Sequence, residues 1–171
     1  MFRTVVTAIA PVLLAAGLVV GGSGPAAAEP TSTGMSCGSA NPLPWAPAFT
    51  WRIGAASGAS RDDVNKPLQP SLLLSGGNEL PVPPGGLIPS IGINWYGTRV
   101  QVDWHNRNTG ASGRSFSDEA RFTQHPVIPV NRTFTGSGTV DFTVTVSTGA
   151  GLWFINTQNA VCRGTISVKP V

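Results

Sequence analysis

The chain has 171 residues with 11 Lys or Arg against 8 Asp or Glu, and only 11% of its residues are charged. So small a positive excess gives no electrostatic basis for binding nucleic acid or an anionic membrane surface. With 21 glycines and 15 prolines the composition also leaves little room for long helices and points to short strands joined by turns.

In chain order, the first predicted element is a secretory signal peptide over residues 1–28. Arg3 supplies its positive charge and Val5 to Val20 its apolar core. Gly21, Gly22, Ser23, Gly24 and Pro25 break the helix, and Ala26-Ala27-Ala28 offers the small side chains a signal peptidase requires. The apolar run, about 16 residues, is shorter than the ~20 needed to span a bilayer, and no second apolar segment follows, so cleavage after Ala28 is expected rather than retention as a membrane anchor. Neither a twin arginine nor a cysteine placed for lipidation accompanies it, since Cys37 follows Gly34-Met35-Ser36. Residues 29–171 then form one exported domain, large enough to bury roughly two-thirds of its unfolded surface. Its 10 basic and 8 acidic residues leave a net charge of +2.

Cys37 and Cys162 are the only cysteines. In an oxidising compartment they are expected to pair and to tie the two ends of the domain together, a loop of about 125 residues for which chain entropy suggests about 4–5 kcal/mol. A redox or metal-binding role would require a second cysteine or a histidine close by in sequence, and neither cysteine has one.

Further along, period-2 alternation marks the strands. Val100, Val102 and Trp104 alternate with Gln101, Asp103 and His105, and Val140, Phe142, Val144 and Val146 alternate with Thr139, Asp141, Thr143, Thr145 and Ser147. Weaker strands are expected at Phe49-Trp51-Ile53, Ile91-Ile93-Trp95, Leu152 to Asn156, and Cys162 to Val168. Tyr96-Gly97-Thr98, residues 108–113 and residues 147–151 read as the turns between them. The segment from Gly54 to Pro89 is rich in Ser, Gly, Pro and Asn; it holds either a short strand at Ser71–Ser75 or a functional loop. Its stretch from Leu80 to Pro89 favours polyproline-like backbone, a packed loop or else a partner surface.

These six to eight strands predict an all-β fold, an antiparallel β-sandwich of immunoglobulin-like type with one disulfide, on which Trp104 or Trp51 would pack. The signal peptide, the alternating strands and the single long-range cysteine pair resemble small secreted actinobacterial immunoglobulin-like β-sandwich proteins. The Arg-rich, Ala-, Gly- and Pro-rich usage, with nine of eleven basic residues Arg, agrees with that. A strict immunoglobulin pattern would place a tyrosine two residues before the second cysteine, where this chain has Ala160, and its cysteines would be about half as far apart.

No motif fixes a reaction. Asp103, His105 and a distant His125 are the only geometric route to a metal site, and the plainer reading is two surface histidines, so no metal or cofactor is expected. Serines are plentiful but no Gly-x-Ser-x-Gly elbow marks a nucleophile. Asp62-Asp63 and Asp118-Glu119 are adjacent acids whose side chains diverge in extended chain, so they read as solvated and paired with Arg61 and Arg121. Among the aromatics, Trp51, Trp95, Trp104 and Phe142 take the core phase. Trp45, between Pro44 and Pro47, and the neighbours Trp153 and Phe154 cannot all point inward and are the candidate binding residues. The expected function is that of an exported, non-enzymatic binding protein of the envelope or medium, its partner a protein or cell-wall component. The alternatives are a small secreted hydrolase of wall polysaccharide or ester built on Asp103 or His105, and a purely structural wall protein. The Asn131-Arg132-Thr133 sequon matters only where exported proteins are glycosylated.

Overall fold

The computed structural model describes residues 30–79, 96–117, 121–123, 126–128, 131–151 and 153–171. The signal-peptide segment, the proline-rich stretch from Leu80 to Pro89, the expected strand through Ile91, Ile93 and Trp95, and Asp118, Glu119 and His125 lie outside the described residues. Nine strands follow one another: β1 (Ser32–Ser39), β2 (Phe49–Ser60), β3 (Gln69–Asn78), β4 (Tyr96–Asn106), β5 (Ser112–Phe116), β6 (Arg121–Thr123), β7 (Asn131–Phe134), β8 (Gly138–Ala150) and β9 (Ile155–Val168). They form two antiparallel sheets, ordered β1-β2-β3-β7 and β5-β4-β8-β9, with β6 pairing the first residues of β4. No helix occurs among the described residues.

Alternation explains which face of each strand is dry. Val140, Phe142, Val144 and Val146 of β8 and Val100 and Val102 of β4 are buried, facing Phe49, Trp51, Ile53 and Ala55 of β2 and Leu72 and Leu74 of β3. Each such Val, Leu or Ile contributes about 1.5–3 kcal/mol on burial. Trp51 is fully buried, but Trp104 is only half-buried. It lies at the margin of the core against Gly113 of β5, where a Cβ would come within 2.7 Å of the indole.

Three boundaries differ from the sequence expectation. Tyr96, Gly97 and Thr98 do not turn the chain; they open β4 and pair with β8 on one side and β6 on the other. The reason is burial, since Tyr96 packs edge-on against Phe49 with ring centroids 5.1 Å apart and Thr98 is wholly inside. Likewise residues 147–150 stay in β8 because Thr148 and Ala150 are buried, and the chain reverses only after Gly151, whose φ of +64° suits glycine. The strand expected from Leu152 therefore starts later, at Ile155. Within the segment from Gly54 to Pro89, β2 runs on to Ser60 and β3 includes the expected strand at Ser71–Ser75.

The Cys37–Cys162 disulfide is formed, with Cα atoms 5.5 Å apart. Cys37 lies on β1 and Cys162 on β9, the edge strands of the two sheets, so the bridge closes one side of the molecule. Trp51 is the cross-strand partner of Cys37 and its Nε1 donates to Ser39 Oγ at 3.4 Å. On the opposite side β5 meets β7 through hydroxyls: Ser115 Oγ and Thr133 Oγ1 share a hydrogen bond of 2.6 Å, and Thr133 Oγ1 donates to Asn131 Oδ1 at 2.7 Å. Asn131 is completely buried there, so the sequon asparagine is closed to modification in the folded protein.

Candidate functional site

Two places collect side chains that the core does not use. The first is built from the β1–β2 loop and the β8–β9 turn, and it carries the expected binding residues. Asn41 shapes the loop: its Oδ1 accepts from Leu43 N–H at 2.9 Å and its Nδ2 donates to the Pro47 carbonyl at 2.9 Å. Ala46 N–H donates to the Leu43 carbonyl at 3.0 Å, and Leu43 itself is buried. Anchored on both flanks and stiffened by Pro44 and Pro47, the loop holds Trp45 outward at 79% exposure.

The β8–β9 turn presents Trp153 at 86% exposure, followed by Ile155 at 63%. Phe154 behaves differently. Its backbone folds over Gly149, where an added Cβ would come within 2.4 Å of the Phe154 Cα, and Arg99 stacks on its ring with Cζ 4.5 Å from the centroid. Phe154 is thus half-buried and props the turn, while Trp153 projects. Phe154 and Asn156 both adopt left-handed backbone, with φ of 49° and 51°, a conformation that costs an L-residue about 1–2 kcal/mol. Thr157 Oγ1 donates to the Phe154 carbonyl at 2.7 Å and helps to hold that strain.

One hydrogen bond joins the two segments: Asn156 Nδ2 donates to the Pro42 carbonyl at 2.6 Å across 114 residues of sequence. Trp45 and Trp153 therefore belong to one end of the molecule. Each exposed indole leaves roughly 4–6 kcal/mol of potential burial unused. Ile155 and the Asn156 tie were not among the expected site residues. The available signal was charge: residues 30–51 and 142–162 contain no Asp, Glu, Lys, Arg or His.

The second place is the outer face of the sheet containing β4, β8 and β9, a shallow depression of about 650 Å³ lined by residues including Asp103, His105, Arg107, Asp141, Arg163 and Thr165. Asp141 accepts two bonds from Arg107, at 2.7 and 2.6 Å, and one from Thr165 Oγ1 at 2.7 Å. The Arg107 bonds, then Thr165, hold its carboxyl below the usual range. Arg114, then Gln101, do the same for Asp103. A general acid needs the opposite shift, which neither carboxylate shows. His105 is exposed beside Asp141 in register. No group of three His, Cys, Asp or Glu side chains able to hold a metal ion occurs among the described residues. At the β2–β3 loop Asp62 pairs with Lys66, four residues on, rather than with Arg61, whose Nη1 donates to the Val64 carbonyl.

No protein-family model matches the chain, and neither a curated protein nor a solved structure shows significant similarity to it.

Proposed function

We propose that this protein is exported and acts, without catalysis, as a binding module of the cell envelope or medium, engaging a protein or cell-wall component through the Trp45/Trp153 end. The observation that carries this reading is the pair of tryptophans, 79% and 86% exposed, on two anchored segments tied by Asn156 and Pro42. Rigid aromatic side chains presented at little entropic cost are the usual energetic centre of a protein interface. Export rests on the signal-peptide pattern of residues 1–28, and the formed disulfide agrees with an oxidising destination. The two packed antiparallel sheets support an immunoglobulin-like sandwich of the kind found in small secreted actinobacterial proteins, with the bridge moved to edge strands. Against the hydrolase alternative stand Asp103 and Asp141, both arginine-paired on an open face.

The test is retention of the protein from residue 29 onward by envelope fractions, with Trp45→Ala and Trp153→Ala alongside. Retention lost in either variant, with unchanged melting temperature, supports the reading. Retention equal in wild type and both variants places binding elsewhere and defeats it.

A further inference from the structure

The positive charge of this protein is concentrated on one surface, the outer face of the β5-β4-β8-β9 sheet. Its described residues include four arginines, Arg99, Arg107, Arg114 and Arg163, against two aspartates, Asp103 and Asp141. That excess of two equals the whole net charge of residues 29–171, in which the other basic and acidic residues cancel six against six. Both aspartates are already engaged, Asp141 by Arg107 and Thr165 and Asp103 by Arg114 and Gln101. Arg163 is exposed at the border of the depression of about 650 Å³ and has no hydrogen-bond or ion-pair partner among the described residues. A guanidinium only donates, so this face has donor capacity left over and is short of acceptors.

The antiparallel register adds apolar groups to this charge. Phe116, Gln101, Thr145 and Val161 lie side by side across the four strands, and Arg114, Asp103, Thr143 and Arg163 form the next outward row. Phe116 and Val161 are 65% and 50% exposed. Each edge strand of the sheet therefore offers an apolar side chain and, two residues along, an arginine, a step of roughly 6.5–7 Å. We propose that this face docks an acidic protein segment in extended conformation, its carboxylates and apolar side chains two residues apart to match that step. Arginine's planar fork fits a carboxylate, and arginine beside exposed aromatic and aliphatic groups, without lysine, is the composition of a protein interface. An acidic polysaccharide would leave Phe116 and Val161 uncovered. Nucleic acid or an anionic bilayer would be pressed against Asp103 and Asp141 for a surplus of only two charges. This docking does not depend on Trp45 or Trp153.

The experiment titrates a fluorescently labelled peptide of alternating Glu and Leu with the protein from residue 29 onward and reads anisotropy. The Lys-and-Leu counterpart, poly-glutamate, polygalacturonate and phosphatidylglycerol vesicles are the comparison probes. Saturable binding of the Glu-and-Leu peptide is expected, weakened in high salt, with none of the Lys-and-Leu peptide. Arg163→Glu should weaken it roughly tenfold or more, and Phe116→Ala and Val161→Thr each several-fold, at unchanged melting temperature. No binding of the Glu-and-Leu peptide, or equal binding by wild type and Arg163→Glu, overturns the proposal. So does poly-glutamate binding as tightly as the Glu-and-Leu peptide, because Phe116 and Val161 would then contribute nothing. Binding confined to polygalacturonate or to vesicles overturns it as well. Peptide binding lost in Trp45→Ala or Trp153→Ala but kept in Arg163→Glu assigns the contact to the tryptophan end, which defeats this proposal and leaves the proposed function standing.

Discussion

Asn106 shows how much one buried polar residue can organise. Wholly buried at the end of β4, it donates from Nδ2 to the carbonyls of Thr135 and Ser137, at 2.9 and 3.0 Å, and accepts at Oδ1 from the N–H groups of Asn108 and Thr109. Both the β4–β5 turn and the β7–β8 connection therefore hang on one amide. Asn106→Ala strands two carbonyls and two N–H groups and is expected to cost about 2–4 kcal/mol, read as a lower urea midpoint at unchanged slope; a loss under about 0.5 kcal/mol would show that water takes over these bonds. Nothing in the alternating pattern of β4 distinguishes Asn106 from an ordinary strand-end residue, because its partners come from 29 and 31 positions away. Asp141 gives a pH-dependent counterpart. Its folded pKa is lowered from 3.8, chiefly by Arg107, so its stabilisation is present above that value and is lost as pH falls through the lower folded pKa. Acid titration of stability in Asp141→Asn should be flatter than wild type below about pH 4, and the difference should shrink in high salt because the pair is largely exposed.

Among the elements, β8 and β4 were legible because β-branched and aromatic residues alternate with Thr, Asp and Gln over long runs. β1 was not: apart from Thr33 its sequence of Ser, Gly, Met and Cys has no strong strand former, and it exists because β2 supplies a ladder and Cys162 a covalent tether. β5, β6 and β7 are short and polar, and pairing with β4 and β3 defines them. Tyr96 to Thr98 misled in the other direction, since Gly97 reads as a turn until its neighbours are seen to be buried. The tether on β1 has a measurable consequence. Replacing both cysteines by serine should cost about 4–5 kcal/mol, from the entropy of a 125-residue loop. The oxidised protein should consume no thiol reagent before reduction. Consumption of two equivalents by the folded protein would mean that β1 is held by its ladder alone.

Across the whole molecule, the candidate binding end was half legible. Trp45 and Trp153 stood out by their proline flanks and by crowding with Phe154, whereas their sharing of one end depends on a contact across 114 residues that no local pattern announces. The two open sides of the sheet pair are closed by unequal means. The β1/β9 side has a disulfide, the hydrogen bond from Ser167 N–H to the Pro30 carbonyl, and the bond from Lys169 N–H to Ser57 Oγ. Among the described residues, the β5/β7 side has the Ser115, Thr133 and Asn131 hydroxyl–amide cluster, in which Asn131 Nδ2 finds no partner. A covalent link cannot open without chemistry, while a side-chain cluster with an unsatisfied donor opens at modest cost. Local opening should therefore begin at β5, a five-residue edge strand, and leave β8, which is paired along its length on both sides, until global unfolding. Native-state hydrogen exchange should find amides of Ser112–Phe116 exchanging well before those of Val140 to Val146. Reduction of the disulfide should then lower protection at Ser32–Ser39 while changing the β5 amides little. If β5 is as protected as β8, the hydroxyl cluster closes its side as firmly as the disulfide closes the other; if reduction exposes both sides together, the two sheets open as one cooperative unit.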